Sequence, residues 1–111
     1  MIILISPTDS VELIPMVKLE DWSIQELQTA DGYVYYFCGR IGGRGRISTR
    51  IVEWCPQEKI GRTESGRIYQ LIDAPGDPDN LELQAIRHAW TVKYAATVHK
   101  DVTSEFVGKR H

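Results

Sequence analysis

Short apolar runs alternate with turn residues over the first two thirds of the chain, a pattern that predicts antiparallel strands. The runs predict strands at residues 2–5, 11–19, 33–38, 46–54, 60–63 and 67–72. Residues 22–28 are ambiguous between a helical turn and a strand, but Trp22, Ile24 and Glu26 alternate with polar neighbours, which favours a strand. Pro15 cannot donate a hydrogen bond to a sheet, so the strand at 11–19 is predicted at an edge or a bulge.

Turn chemistry connects these strands one after another. Asp31-Gly32 tolerates the positive φ of a tight hairpin turn, and Gly39 to Gly45 is a loop rich in glycine and arginine. Residues 55–59 and 64–66 supply two further turns. Because consecutive hairpins pair antiparallel, we expect the middle of the chain to form a meander.

The period of the apolar positions changes after residue 76 and predicts one long C-terminal helix. Asp77 is suited to cap its start and Pro78 to its first position, and the helix is expected to run to about Val98. One apolar stripe comprises Leu83, Ile86, Trp90 and Tyr94. A second comprises Leu81, Ala85, Ala89, Val92 and Ala96. Both stripes are expected to pack on the sheet. Residues 99–107 are expected to add a short final strand.

Together these elements predict an α+β fold, in which a curved antiparallel meander sheet of five to seven strands is packed by one long C-terminal helix. The length of 111 residues suits a single domain spanning residues 1–111, and 42 % hydrophobic and 25 % charged residues are ordinary for a globular protein. The apolar run at residues 1–5 has no basic leader, and no run approaches the roughly 20 residues that span a bilayer. We therefore expect a cytoplasmic protein with no membrane partner. Cys38 and Cys55 are expected to be reduced thiols in neighbouring strands.

Charge is distributed unevenly along the chain, although the net charge is only −2. Residues 40–67 hold seven basic and three acidic residues, whereas residues 1–36 hold one basic and six acidic residues. Such a segment can steer a protein toward an anionic partner. The glycine-rich loop inside it is interpreted either as a flexible hairpin loop with solubilising arginines or as an anion-binding loop.

Several kinds of active site lack their sequence signatures. The glycine-rich segment has no lysine followed by Ser or Thr at the start of a helix, as a P-loop requires. No pair among Cys38, Cys55, His88 and His99 has the short spacing of a zinc site. Nothing marks Cys38 and His88 as a nucleophile and its base. We expect no cofactor, no metal and no enzymatic activity.

The segment Gly66-Arg67-Ile68-Tyr69-Gln70-Leu71 is followed by Pro75-Gly76 and then by the predicted helix with Trp90. Over residues 44–92 the chain resembles small uncharacterised bacterial and phage proteins. These have a strand–turn–strand unit ending in Gly-Arg-[Ile/Val]-Tyr-x-Leu, a Pro-Gly loop and a Trp-bearing C-terminal helix. The resemblance implies a bacterial, phage or mobile-element origin and no particular chemistry.

The functional expectation rests on the arginines and aromatic residues of the strand region. We expect a small non-enzymatic binding or regulatory protein that docks an arginine-rich hairpin surface on an acidic protein partner. The alternative is a single-stranded nucleic-acid binder that uses the same arginines with exposed aromatic rings. The expected contact residues are Arg40, Arg44, Arg46, Arg50, Arg62, Arg67, Tyr36 and Trp54. A second copy of the chain is a further candidate partner.

Overall fold

The computed structural model describes residues 16–106. Its strands are β1 (Met16–Thr29), β2 (Gly32–Ile41), β3 (Arg44–Cys55), β4 (Ile60–Thr63), β5 (Ile68–Leu71) and β6 (His99–Asp101). Its helices are α1 (Leu81–Lys93) and α2 (Thr103–Phe106). The predicted strand at 2–5, the first part of the predicted strand at 11–19 and residues 107–111 lie outside the described residues.

Strands β1 to β5 form a closed barrel. Each strand pairs antiparallel with the next along the chain, and β5 then pairs with β1, so that no edge is left between them. The β1–β5 pair is parallel because an up-and-down path of five strands returns to its start with the fifth strand running in the same direction as the first. Strand β6 pairs with the C-terminal half of β1.

The predicted fold class is therefore wrong. The described residues are 52 % strand and 19 % helical, and they form a barrel with short helices rather than a meander sheet packed by a long helix. Local alternation indicates which residues form strands and which strands are neighbours in sequence. It carries no information on whether the first and last strands meet, because that pairing joins Met16 to Ile68.

A bend in β1 makes the closure possible. Asp21 has a φ of 50°, and the pairing register shifts between Glu20 and Ser23. Before the bend, residues 16–19 pair with β5; after it, β1 pairs with β2 on one side and β6 on the other. Residues 22–28 are thus strand, the interpretation that their alternation favoured.

Strand β2 has apolar side chains on both faces because it contributes to two cores. Phe37 lies inside the barrel with Trp22 and Tyr69. The neighbouring residues Tyr36 and Cys38 lie on the outer face. The outer core includes Trp90 of α1, which is fully buried as its stripe predicted. A strand buried on both faces appears as a continuous apolar run instead of an alternating one.

Two glycines leave the space that the barrel core needs. A Cβ atom on Gly61 would lie 2.5 Å from Cζ of Phe37, and one on Gly39 would lie 2.7 Å from the Glu20 carbonyl oxygen. Gly39 is buried within β2. The predicted loop from Gly39 to Gly45 is therefore much shorter, since β2 extends to Ile41, β3 begins at Arg44, and the turn comprises residues 42–43.

Helix α1 is shorter than predicted at both ends. Its N-cap is Asn80, whose Oδ1 accepts the backbone N–H of Leu83 at 3.0 Å, whereas Asp77 caps a preceding turn by accepting the N–H of Asp79. The helix ends at Lys93, and Ala95 has a φ of 50°. The second predicted stripe is exposed instead of packed on the sheet, apart from Ala96, which is buried beyond the helix end. Neither α1 nor α2 combines the length and apolar character that crossing a membrane requires.

Candidate anion-binding surface

The arginines predicted as contacts divide into two groups according to their partners. Arg40 belongs to the first group, because its Nη2 lies 2.7 Å from Oε1 of Glu82 and donates to Oδ1 of Asn80 at 3.3 Å. Its Nε also lies 3.7 Å from Oδ2 of Asp21. Arg40 thus ties the end of β2 to the start of α1, and its charge is compensated by two carboxylates of the same chain.

Arg50 and Arg62 also have carboxylate partners. Nε of Arg50 lies 3.4 Å from Oε2 of Glu64, and Nε of Arg62 donates to Oε1 of Glu53 at 2.8 Å. This hydrogen bond lowers the pKa of Glu53. Both pairs lie at the surface, where solvent screens them and each contributes little to stability. The charges of Arg50 and Arg62 are thus each compensated by a carboxylate of the same chain.

The second group comprises Arg44, Arg46 and Arg67, at or before the starts of β3 and β5, and we call these three the barrel-end arginines. Strands β3 and β5 both run antiparallel to β4 and therefore run in the same direction, and across β4 Arg67 lies level with Arg50 of β3. Arg44 is the first residue of β3, and Arg67 immediately precedes β5. None of the three has an ion-pair partner among residues 16–106. Their charge is therefore available to a ligand.

Arg46 is held in place by a buried ring. Its Nε donates to the hydroxyl oxygen of Tyr69 at 3.0 Å, and its guanidinium carbon lies 5.8 Å from the centre of the same ring. Tyr69 is 2 % exposed, so it is a rigid anchor. Because Nε makes this bond, the two terminal nitrogens of Arg46 remain as a donor pair, the geometry that a carboxylate or phosphate accepts well.

The two predicted aromatic contacts are packed against the protein. Tyr36 is 6 % exposed and stacks on Tyr94 with ring centres 4.4 Å apart, and burial raises its pKa. Trp54 is half-buried, and its ring centre lies 5.9 Å from that of Phe37 and 5.8 Å from that of Phe106. The Tyr36 ring is therefore not open for stacking on a base, and the Trp54 ring is open only in part. The structure thus separates the predicted contact residues into three barrel-end arginines, three paired arginines and two packed aromatic residues.

The two cysteines are free and far apart in register. Cys38 pairs with Ile47 of β3, whereas Cys55 lies at the other end of that strand opposite Ile60. Burial raises the pKa of the Cys38 thiol to about 12; nearby Asp101 adds to this shift and Arg87 opposes it. The thiol is therefore protonated at neutral pH and is a poor nucleophile.

No protein-family model, curated protein or solved structure matches the chain. The resemblance over residues 44–92 stays a prediction.

The structure also brings together residues that sequence patterns did not connect. Arg87, His88 and Trp90 of α1 meet His99 and Lys100 of β6 around a surface cleft. Arg87 and His88 belong to neither apolar stripe of the predicted helix and so form part of a polar strip, which is the signal that the sequence offers. Nothing in the local pattern indicates that β6 returns beside that strip, because β6 is held there by its pairing with Gln25, Glu26 and Leu27.

Proposed function

We propose that this chain is a small non-enzymatic binding protein, of phage or mobile-element origin, that docks the barrel-end arginines on an acidic protein partner. The observation that carries the proposal is the difference between the two arginine groups. Arg40, Arg50 and Arg62 already have carboxylate partners, whereas Arg44, Arg46 and Arg67, at or before the starts of β3 and β5, have no ion-pair partner in the described part of the chain.

An acidic protein surface fits this site better than a nucleic acid does. Proteins that bind single strands combine cationic grooves with exposed aromatic rings, and here Tyr36 is buried and Trp54 is half-buried among other aromatic rings. The net charge of −2 and the pI near 5.9 also oppose a long polyanion, which interacts with the field of the whole molecule. A short acidic segment contacts the barrel end alone.

The test compares two double variants that remove the same number of charges. Arg44→Ala/Arg67→Ala removes two barrel-end arginines, and Arg50→Ala/Arg62→Ala removes two paired ones. The probe is a fluorescent peptide of about ten residues rich in glutamate, titrated at two salt concentrations. Each charge-assisted hydrogen bond contributes about 1.5–3 kcal/mol, so the first variant should weaken binding at least about tenfold. The second should change it less than about threefold.

Equal losses in the two variants would show that binding follows total charge, and the proposal would then be wrong. A labelled oligothymidine tests the alternative function. If the oligothymidine binds tightly and saturably, with a salt slope of roughly −0.7 for each phosphate contact, the nucleic-acid interpretation replaces this one. Weak oligothymidine binding together with loss of peptide binding in the barrel-end variant is the result that we expect.

A further inference from the structure

A cleft of about 470 Å³ lies between α1 and β6, on the outer face of the barrel. Helix α1 contributes Arg87, His88 and Trp90, and β6 contributes His99 and Lys100. It is separate from the barrel-end arginines, none of which lines it. Its volume is sufficient for a small organic ligand.

The polar lining of the cleft has an excess of basic groups. Arg87, Lys100 and two histidines line the cleft with a single carboxylate, that of Asp101. This carboxylate is already engaged, because its Oδ2 accepts from Nε2 of Gln25 at 3.0 Å and lies 3.7 Å from Nη1 of Arg87. Gln25 is 2 % exposed and also donates to Ser23, so the acidic side of the cleft is fixed by a buried side chain. Nζ of Lys100 lies 3.6 Å from Oε2 of Glu105, so both cations have carboxylate neighbours, but both distances exceed that of a hydrogen bond and leave the N–H donors for an anion. Lys100 and the two histidines are exposed and Arg87 is half-buried.

Trp90 adds a hydrogen-bond donor that has no partner. Its Nε1 is the one buried side-chain nitrogen or oxygen left without a hydrogen bond in residues 16–106. The contrast with Trp22 is direct, because Nε1 of Trp22 donates to the carbonyl oxygen of Ile72 at 3.1 Å. A buried donor without an acceptor is destabilising, so an acceptor supplied by a ligand would recover free energy at this position.

We propose that the α1–β6 cleft binds a compact oxyanion, the phosphate or carboxylate group of a small molecule. The anion lies among Arg87, His88 and Lys100, and one of its oxygens accepts the indole N–H of Trp90. That nitrogen is covered in the structure, and the ring of His99 lies edge-on to the Trp90 ring with centres 5.5 Å apart. Exposed side chains change rotamer rapidly, and His99 is exposed, so its ring is free to turn aside when an anion enters.

The indole N–H signals of the three tryptophans report on this binding directly. The full chain labelled with ¹⁵N is titrated with inorganic phosphate in one series and with acetate in another, at constant ionic strength. We expect the Trp90 indole signal, assigned with Trp90→Phe, to move downfield and saturate, because a new hydrogen bond forms. The Trp22 signal is an internal control and should stay in place, since its acceptor is already present. The series that saturates at lower concentration identifies which oxyanion the cleft prefers.

Two variants on the same helix test which cation holds the anion. Arg87→Gln removes a cleft cation, and Lys93→Gln removes an exposed cation outside the cleft lining, so the change in net charge is the same. We expect Arg87→Gln to weaken binding about tenfold, as for loss of one charge-assisted hydrogen bond, and Lys93→Gln to leave it within about twofold. The barrel-end double variant should bind the anion normally, which separates this proposal from the proposed function.

Three results would overturn the cleft assignment. The first is an unchanged Trp90 signal in both titrations. The second is a shift of all three indole signals that grows linearly without saturation, as general salt effects produce. The third is saturable binding that Arg87→Gln and Lys93→Gln weaken equally.

Discussion

Replacing Gly61 by alanine tests whether the barrel interior is as tightly filled as the structure indicates. A Cβ atom there would lie 2.5 Å and 2.8 Å from two ring carbons of Phe37 and 3.2 Å from Cε3 of Trp54. Phe37 is fully buried and its ring is held between Trp54 and Tyr69, so it cannot move aside freely. Overpacking of this kind costs about 1–3 kcal/mol.

An opposing effect makes the sign of this result informative. The φ of Gly61 is outside the left-handed region, so alanine fits the backbone and reduces the entropy of the unfolded chain, which stabilises by about 0.4–1 kcal/mol. We expect the clash to exceed this gain because two ring atoms are involved. The net loss should be about 1–2 kcal/mol in the free energy of unfolding, or roughly 4–16 °C in Tm.

Urea unfolding followed by tryptophan fluorescence and circular dichroism measures the loss, and a second substitution identifies its cause. Phe37→Leu shortens the side chain that the new methyl group meets. The double variant Gly61→Ala/Phe37→Leu should therefore lose less free energy of unfolding than the two single variants lose in sum, by at least about 1 kcal/mol. Gly39→Ala is the matched control, since its Cβ meets the Glu20 carbonyl oxygen and Leu19, which Phe37→Leu does not relieve. A neutral or stabilising Gly61→Ala would refute the packing argument.

Three other predictions concern α1 and the residues beneath it. Trp90→Ala should lower the free energy of unfolding by about 3–5 kcal/mol, because the ring is fully buried. Leu81→Ala should change it by less than about 0.5 kcal/mol, because that side chain is 79 % exposed. Thermal and urea unfolding measure both variants. In the native protein at neutral pH, iodoacetamide should modify Cys55 much faster than buried Cys38, as peptide mass spectrometry would show. The raised pKa of Cys38 keeps its thiol protonated in the folded state, whereas the thiol of the unfolded chain ionises above about pH 9. The free energy of unfolding should therefore fall by up to roughly 1.4 kcal/mol per pH unit between about pH 9 and 12. A Cys38→Ala variant that shows the same loss over pH 9–10 would contradict this.

Local sequence patterns predict most of the strands correctly. The predictions fail at positions whose structure depends on residues that are distant in the sequence. The Asp31-Gly32 turn was recognised because its requirement for positive φ is local, and Gly32 indeed has a φ of 131°. Glycine usually marks a loop, which predicts a loop at Gly39, yet here the close approach of Leu19 and Glu20 on the neighbouring strand β1 requires a glycine. The helix start was misplaced for a similar reason. Asp77 and Asn80 are both good caps, and Asn80 is the one that also accepts from Arg40.

The candidate site likewise has some features that local sequence patterns predict and others that only the fold creates. The segment containing the arginines is visible in the sequence as a local excess of charge, so all three barrel-end arginines are among the predicted contacts, which stay a prediction. Their separation from Arg40, Arg50 and Arg62 was not visible, because Glu82, Glu64 and Glu53 are brought to those arginines by the fold. The cleft between α1 and β6 was missed altogether, since the pairing of β6 with β1 joins residues more than 70 positions apart.

The parallel β1–β5 pair has a consequence for the order in which the barrel assembles. The hairpins that precede it close loops of a few residues, whereas this pair joins Met16 to Ile68, 52 positions later. Closing a loop of about 50 residues instead of about four costs roughly 2 kcal/mol more in chain entropy. We therefore expect the hairpins to form before this seam closes, and amide hydrogens at residues 16–19 and 68–71 should exchange faster than those of the β2–β3 hairpin. Arg67 borders the seam, so an acidic partner bound at the barrel end would stabilise the closed barrel and slow exchange along the seam.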